Sequence, residues 1–160
     1  MLRLAEVCGD VVVVAAPGAE IENLSPQARI VHDPTEGEGP LAGLLAGLLA
    51  AARSELALVA AGDMPDLQER VLRELVRVAV ETRAEAVILR SGDAPHPLPC
   101  VVRTDRATEA AQTLLHAGHR RLLDLFDALR VEVVDEVTWR ALDPRARTLF
   151  DVDRPPDLIG

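Results

Sequence analysis

Aromatic surface is nearly missing from this chain, which has no tyrosine, two phenylalanines and one tryptophan in 160 residues. Stacking on aromatic side chains, a common means of holding unpaired bases, has little to work with here. Positive charge is also short, because 17 basic against 26 acidic residues leave a net charge of −9 that repels a polyanion. No apolar run has the length of a membrane span, and the opening MLRLAEVCGD lacks a signal peptide's apolar region. Only two cysteines occur, Cys8 and Cys100, each within an apolar stretch and without metal-type spacing. They read as buried, reduced thiols of a cytoplasmic protein. Nucleic acid and membrane are thereby set aside as partners. A small anionic ligand stays open wherever backbone amides, arginines or a metal ion can meet it.

What is present is an aliphatic chain, 49% hydrophobic and 27% charged, whose length suits one domain spanning residues 1–160. Leu2, Leu4, Ala5 and Val7 read as the last turns of a helix closed by Gly9, and DVVVVAAPG as a buried strand with a Pro-Gly stop. ARIVHD is a second strand ending at Asp33, followed by the loop PTEGEGP. Residues 41–53, LAGLLAGLLAAAR, combine high helix propensity with small residues on every face, so they can pack closely under a sheet. A strand over 56–61 follows. Asp66 and Glu69 make a capping-box pattern for a helix to about residue 83, with Leu67, Val71, Leu75, Val78 and Ala79 inward. AEAVILR is the next strand. In SGDAPHPLPCVVRT three prolines exclude a helix and predict an edge or irregular strand. Helices over 105–117 and 121–129, a strand VEVVDEV and a short strand in LFDVDRPPDL that breaks at Pro155 complete the chain. This alternation predicts a largely parallel, three-layer α/β sheet with its ligand sites beyond the carboxyl ends of the strands.

Three features fall just after a strand and so share that rim: Asp33, the turn Gly39-Pro40-Leu41-Ala42-Gly43, and Asp63 in LVAAGDMPDL. A lone carboxylate there is poorly solvated unless it holds Mg²⁺ against phosphate oxygens. The glycines allow backbone to approach a base or ribose, and the following helix N-terminus favours an anion. Blander readings stand beside these. Asp63 before Met-Pro also serves to end a strand or cap a turn, and glycines under a sheet also serve packing.

The segments EGPLAGLLAGL, LVAAGDMPDL, APHPLPCVV, LHAGHRRLLDLF and LFDVDRPPDL follow the order seen in the MobA-like nucleotidyltransferases, the family of molybdenum cofactor guanylyltransferase, which this chain resembles over almost its whole length. The resemblance implies a Rossmann-like α/β fold and a cytoplasmic enzyme that transfers GMP from GTP to the phosphate of a molybdopterin-type cofactor with release of pyrophosphate. It implies that Asp63 binds Mg²⁺ or Mn²⁺ beside the nucleotide and is the principal catalytic residue. Asp33 and Gly39, Pro40, Leu41 and Gly43 then fall at the base and ribose. His96, Pro97, Arg120, Arg121 and Asp153 fall on the acceptor side. On their own, His96 is equally a loop histidine ordering a turn, and the arginine pair a solvated helix start. The implied partners are a nucleotide and a molybdopterin-type small molecule, with molybdoenzymes or cofactor-biosynthesis proteins beside them. Alternatives of other classes are a cytidylyltransferase or sugar-phosphate nucleotidyltransferase of the same fold, and a binding module without catalysis.

Departures from the family pattern bear on activity. The family's opening strand and glycine-rich LAGG loop, with its arginine and lysine, have no counterpart. An asparagine after the second strand is replaced by the run ending at Ala16, and the C-terminal NTPE by Asp153, Arg154, Pro155 and Pro156. The expectation is an N-terminally shortened domain in which two strands lack a shared partner and transfer is weak.

Overall fold

A computed structural model of the chain describes residues 2–19, 21, 26, 28–33 and 39–150. The fold is mixed α/β. Valine-rich β1 (Val11–Ala15) pairs in parallel with β2 (Ala28–His32), Val13 opposite Ile30. A second sheet has the order β3-β5-β4-β6, built from β3 (Leu56–Val59), β4 (Ala86–Ser91), β5 (Ala94–Arg103) and β6 (Val131–Val134). In it β5 runs antiparallel to β3 and β4, and β6 runs parallel to β4. Strands β3, β4 and β6 therefore point the same way.

Helix α1 (Leu2–Ala5) precedes β1, and α2 (Pro40–Ala50) joins the two sheets. The carbonyl of Ala50, at the foot of α2, accepts a hydrogen bond from Arg29 at the start of β2 (2.6 Å). The helix thus descends from the carboxyl end of β2, and β3 climbs back to the same rim. Strands β1 and β3 each lie at an end of their sheet. Helix α2 leans on both. A Cβ on Gly47 would lie 3.1 Å from Val14 Cγ2 of β1, while Leu41 and Leu48 pack with Ala57 and Val59 of β3. The small residues of α2 serve this close approach.

The remaining helices are α3 (Glu69–Thr82), α4 (Thr104–His116), α5 (Leu122–Ala128) and α6 (Glu136–Leu142), before a 3-10 turn at Arg147–Leu149. Helices α4 and α5 join α2 on one face of the second sheet, and α3 and α6 cover the other with Val71, Leu75, Ala79 and Trp139 fully or almost fully buried. Two layers of helix enclose the sheet, as expected.

Three details depart from the sequence reading. The proline-bearing strand β5 is central, with β3 on one side and β4 on the other. Its prolines are accommodated because β3 pairs only with residues 100–103, while on the β4 side the register jumps from Ile88 opposite Cys100 to Leu89 opposite His96. Pro97 and Pro99 occupy the skipped residues, where no ladder N–H is required. The strand expected over VEVVDEV stops at Val134, because Asp135 accepts a hydrogen bond from the Thr138 amide (2.8 Å) and caps α6, a helix absent from the sequence reading. Helix α3 starts at Glu69 with Gln68 as its N-cap, and Asp66 makes no capping bond. Leu149, the first residue of LFDVDRPPDL, closes a 3-10 turn, and the strand expected in that segment lies, from residue 151 on, outside the described residues.

Cys100 is fully buried and burial pushes its thiol up to about 12; burial also raises the partly buried Cys8. In the folded protein a thiol reagent at pH 8 is expected to modify Cys8 first and Cys100 only on unfolding, as measured by the time course of thiol release with and without denaturant.

Candidate active site

At the rim of the first sheet, the Asp33 amide donates to the Ala15 carbonyl (2.9 Å), turning the chain out of β2 towards the head of α2. Between these elements lies an open cleft of about 280 Å³ lined by Ala15, Ala16, Asp33, Gly39, Pro40 and Gly43, among others. The Asp33 carboxylate stands over the first turn of α2, where Oδ2 lies 3.6 Å from the place a Cβ on Gly43 would take. Gly43 therefore keeps the floor of the cleft open beside an acceptor. Ala16 offers no side-chain amide, and its carbonyl faces His32 Nδ1 at 3.2 Å.

The head of α2 differs from the expected anion site. Pro40 has no N–H, the Leu41 amide donates to the Arg120 carbonyl (3.4 Å), and the Ala42 amide donates to Gly39 (3.2 Å). With these donors engaged, the cleft suits a group that donates hydrogen bonds to Asp33 better than it suits a phosphate. The Leu41 side chain is fully buried in the core below. Gly39 is the junction: its φ is +86°, and a Cβ there would sit 3.1 Å from the Arg120 carbonyl oxygen.

Beyond β3, Gly62 and Asp63 are exposed while Met64 and Leu67 are buried with Leu72, packed against Leu4, Val7 and Leu98. With Ala60 and Ala61 packed on the same cluster, the loop is anchored on both sides of an outward carboxylate. Asp63 makes no hydrogen bond or ion pair with a described residue. No group of three or more His, Cys, Asp or Glu side chains among the described residues gathers to enclose a metal ion. One accessible carboxylate fits the Mg²⁺ mode in which water and substrate phosphate oxygens complete the shell, and does not fit a closed protein cage.

His96 reaches this rim along β5. Val59, the last residue of β3, is opposite Cys100, so Pro97, Leu98 and His96 continue past it beside the Asp63 loop, where Leu98 meets Met64 and Leu67. His96 is half-buried, with Nε2 3.1 Å from Ser91 Oγ. Nearby Glu136 is held below the usual carboxylate range by its hydrogen bond from Arg140, then by the Gly92 amide, with His96 contributing.

The arginine pair divides. Arg120 donates to the carbonyls of Leu115 (3.0 Å) and His119 (2.8 Å), closing the end of α4, and its carbonyl oxygen and Cβ lie against Gly39 while the same carbonyl accepts from the Leu41 amide. Arg121 is exposed at the N-cap of α5 and pairs with no described residue. Arg121→Ala is expected to weaken a phosphate-bearing acceptor several-fold with an unchanged melting temperature, whereas Arg120→Ala lowers the melting temperature; acceptor titration and thermal denaturation check this. Asp153 lies outside the described residues. The sequence reading gave no role to Asp143, Arg147 and Thr148, of which Thr148 accepts from the Gln68 amide, Arg147 faces Asp66 and Asp143 accepts from the Thr148 amide.

Residues 1–133 match the model of the MobA-like NTP transferase domain. A probable molybdenum cofactor guanylyltransferase of Mycobacterium tuberculosis (strain ATCC 25618 / H37Rv) is 40% identical over 137 residues, covering 82% of this chain and 66% of the relative. That of Mycobacterium avium (strain 104) is 36% identical over 157 residues, covering 97% and 74%. The chain thus spans 66% of the length of the first of these relatives. Among solved structures, the molybdopterin-guanine dinucleotide biosynthesis protein A of Archaeoglobus fulgidus superposes with a TM-score of 0.69 at 27% identity, over 82% of this chain and 65% of that one. The 2-C-methyl-D-erythritol 4-phosphate cytidylyltransferase of Thermus thermophilus shares the fold, with a TM-score of 0.72 at 20% identity over 99% and 83%.

Proposed function

This chain belongs to the MobA-like NTP transferase domain family, and we propose that it provides the nucleotide and acceptor rim of a guanylyltransferase that forms a dinucleotide from GTP and a molybdopterin-type phosphate. What supports the proposal most is the 40% identity to a probable molybdenum cofactor guanylyltransferase, in a chain with an open cleft beside Asp33, an outward Asp63 and a His96 strand that runs past the Asp63 loop.

In this reaction an acceptor phosphate oxygen attacks the α-phosphorus of GTP, the α–β phosphoanhydride bond breaks, and pyrophosphate leaves. Such chemistry asks for alignment and charge neutralisation more than for covalent help. Asp33 accepts from the donor edge of a purine or from ribose hydroxyls in the cleft, which sets where the α-phosphate falls. Asp63 holds Mg²⁺, which when bound supplies neutralisation of phosphate charge. Arg121 faces the incoming acceptor phosphate, and all 17 basic residues being arginine suits planar, bidentate recognition of that group. His96 lines the acceptor side from β5. The protein is proposed to act in the cytoplasm.

Calorimetric titration with GTP and with CTP, each with and without Mg²⁺, tests the reading. GTP is expected to bind more tightly than CTP, and Mg²⁺ to strengthen it. Equal or tighter binding of CTP would move the assignment to a cytidylyltransferase of the same fold.

A further inference from the structure

The loop of Asp63 is tied to a distant part of the chain by buried polar groups. Thr148 is fully buried in the 3-10 turn, and its Oγ1 accepts a hydrogen bond from the Gln68 amide (3.2 Å), an orphan donor at the start of α3 that no local side chain caps. Gln68 in turn donates from Nε2 to the Asp66 carbonyl (2.8 Å), and Arg147 Nε lies 3.7 Å from Asp66 Oδ2. Two contacts from the turn thus reach 66–68, a stretch braced by its own Gln68–Asp66 bond that leads back through buried Leu67 and Met64 to Asp63.

Thr148 is itself held from behind. Asp143, only 3% exposed, accepts from the Thr148 amide at 2.7 Å. A carboxylate buried this far is costly unless it is hydrogen-bonded, and this bond folds the turn back on α6. Between them Ala146 sits at φ +52°, a left-handed conformation that a non-glycine residue keeps only where its surroundings impose it. Leu142, Ala146 and Leu149 pack under α3 and β5 with Val71 and Val101, so the turn has a fixed base.

Resting on the reading of Asp63 given above, we propose that Thr148, set by Asp143 and assisted by Arg147, is a positioning residue for the metal-binding carboxylate. The turn at 143–149 is a clamp that fixes the Asp63 loop and makes its geometry depend on the C-terminal part of the domain. Local capping by Asp66 would have left the loop answerable only to its own helix.

The test compares Thr148→Val, which keeps the shape and removes the acceptor, with Thr148→Ser, which restores the hydroxyl. Hydrogen exchange reads the loop directly, and the Mg²⁺ concentration giving half-maximal enhancement of GTP binding reads its use. In Thr148→Val, amides of 61–68 are expected to exchange at least about tenfold faster while those of β1 and α4 do not change, and the Mg²⁺ midpoint is expected to rise several-fold with Mg²⁺-free GTP binding unaltered. Thr148→Ser is expected to follow the wild type in both. Unchanged exchange at 61–68, or an equal acceleration throughout the molecule, overturns the clamp. A wild type without any Mg²⁺ response, together with selective loosening in Thr148→Val, retains the clamp and removes the metal role of Asp63.

Discussion

Asp63→Asn is expected to lower Mg²⁺-dependent transfer by about 100-fold or more, the scale of removing one preorganised electrostatic group. The change keeps size and hydrogen-bonding shape but removes the charge. The side chain is outward and unpaired with any described residue, so the folded state has little to lose from it. The melting temperature should therefore stay within a degree or two, as surface substitutions usually allow. GTP binding measured without Mg²⁺ should also persist, because the cleft beneath Asp33 belongs to the other sheet and to α2. Turnover at saturating GTP over a Mg²⁺ series, beside Asp127→Asn as a surface control, separates these effects. Retention of full Mg²⁺-dependent activity by Asp63→Asn would return the residue to its bland reading, an aspartate that merely ends a strand.

What is legible in the sequence follows from local patterns with one dominant cause. The valines of β1, the stripe on α3 and the Gly-Asp pair after β3 each announce burial or its end within a few residues. Asp33 and Asp63 each follow the last residue of a strand within a few positions, where the chain leaves the sheet. The misreadings arise where a distant partner decides. Three prolines around His96 argue against a central strand, yet β3 is short and the β4 register skips 97–99, so β5 sits in the middle of its sheet. Asp66 and Glu69 look like a capping box, but Thr148, eighty residues away, supplies the acceptor. Arg120 and Arg121 look alike in sequence, and only the end of α4 shows that the first is spent on carbonyls. Each exception depends on tertiary contacts that override a local preference.

Gly39→Val is expected to damage both stability and nucleotide affinity, and for reasons that Gly43→Ala would not share. With φ +86° and ψ 174°, Gly39 occupies a region essentially reserved for glycine, and a side chain there costs roughly 1–3 kcal/mol from backbone strain alone. The neighbour met by a new Cβ is the Arg120 carbonyl oxygen at 3.1 Å, a backbone atom that also accepts from Leu41, so it cannot yield like a side-chain tip. Relief requires the 116–121 turn to move away from α2 or α2 to lose its first hydrogen bond, and either shift displaces Pro40 from the cleft wall and Arg121 from the acceptor side together. The expected result is a melting temperature lower by several degrees, on the order of that cost for a domain of this size, with GTP affinity reduced at least tenfold. By contrast, a Cβ on Gly43 would meet Asp33 Oδ2 and Val14 Cγ1 at ordinary contact distances of 3.6 and 3.9 Å. Gly43→Ala should therefore fold at least as well as the wild type, gaining roughly 1 kcal/mol of helix propensity, while its methyl group enters the cleft and weakens GTP. Thermal denaturation and GTP titration of the two variants separate a glycine required by the fold from one that leaves room for the ligand; equal GTP binding by Gly43→Ala and the wild type would place the nucleotide elsewhere on the rim.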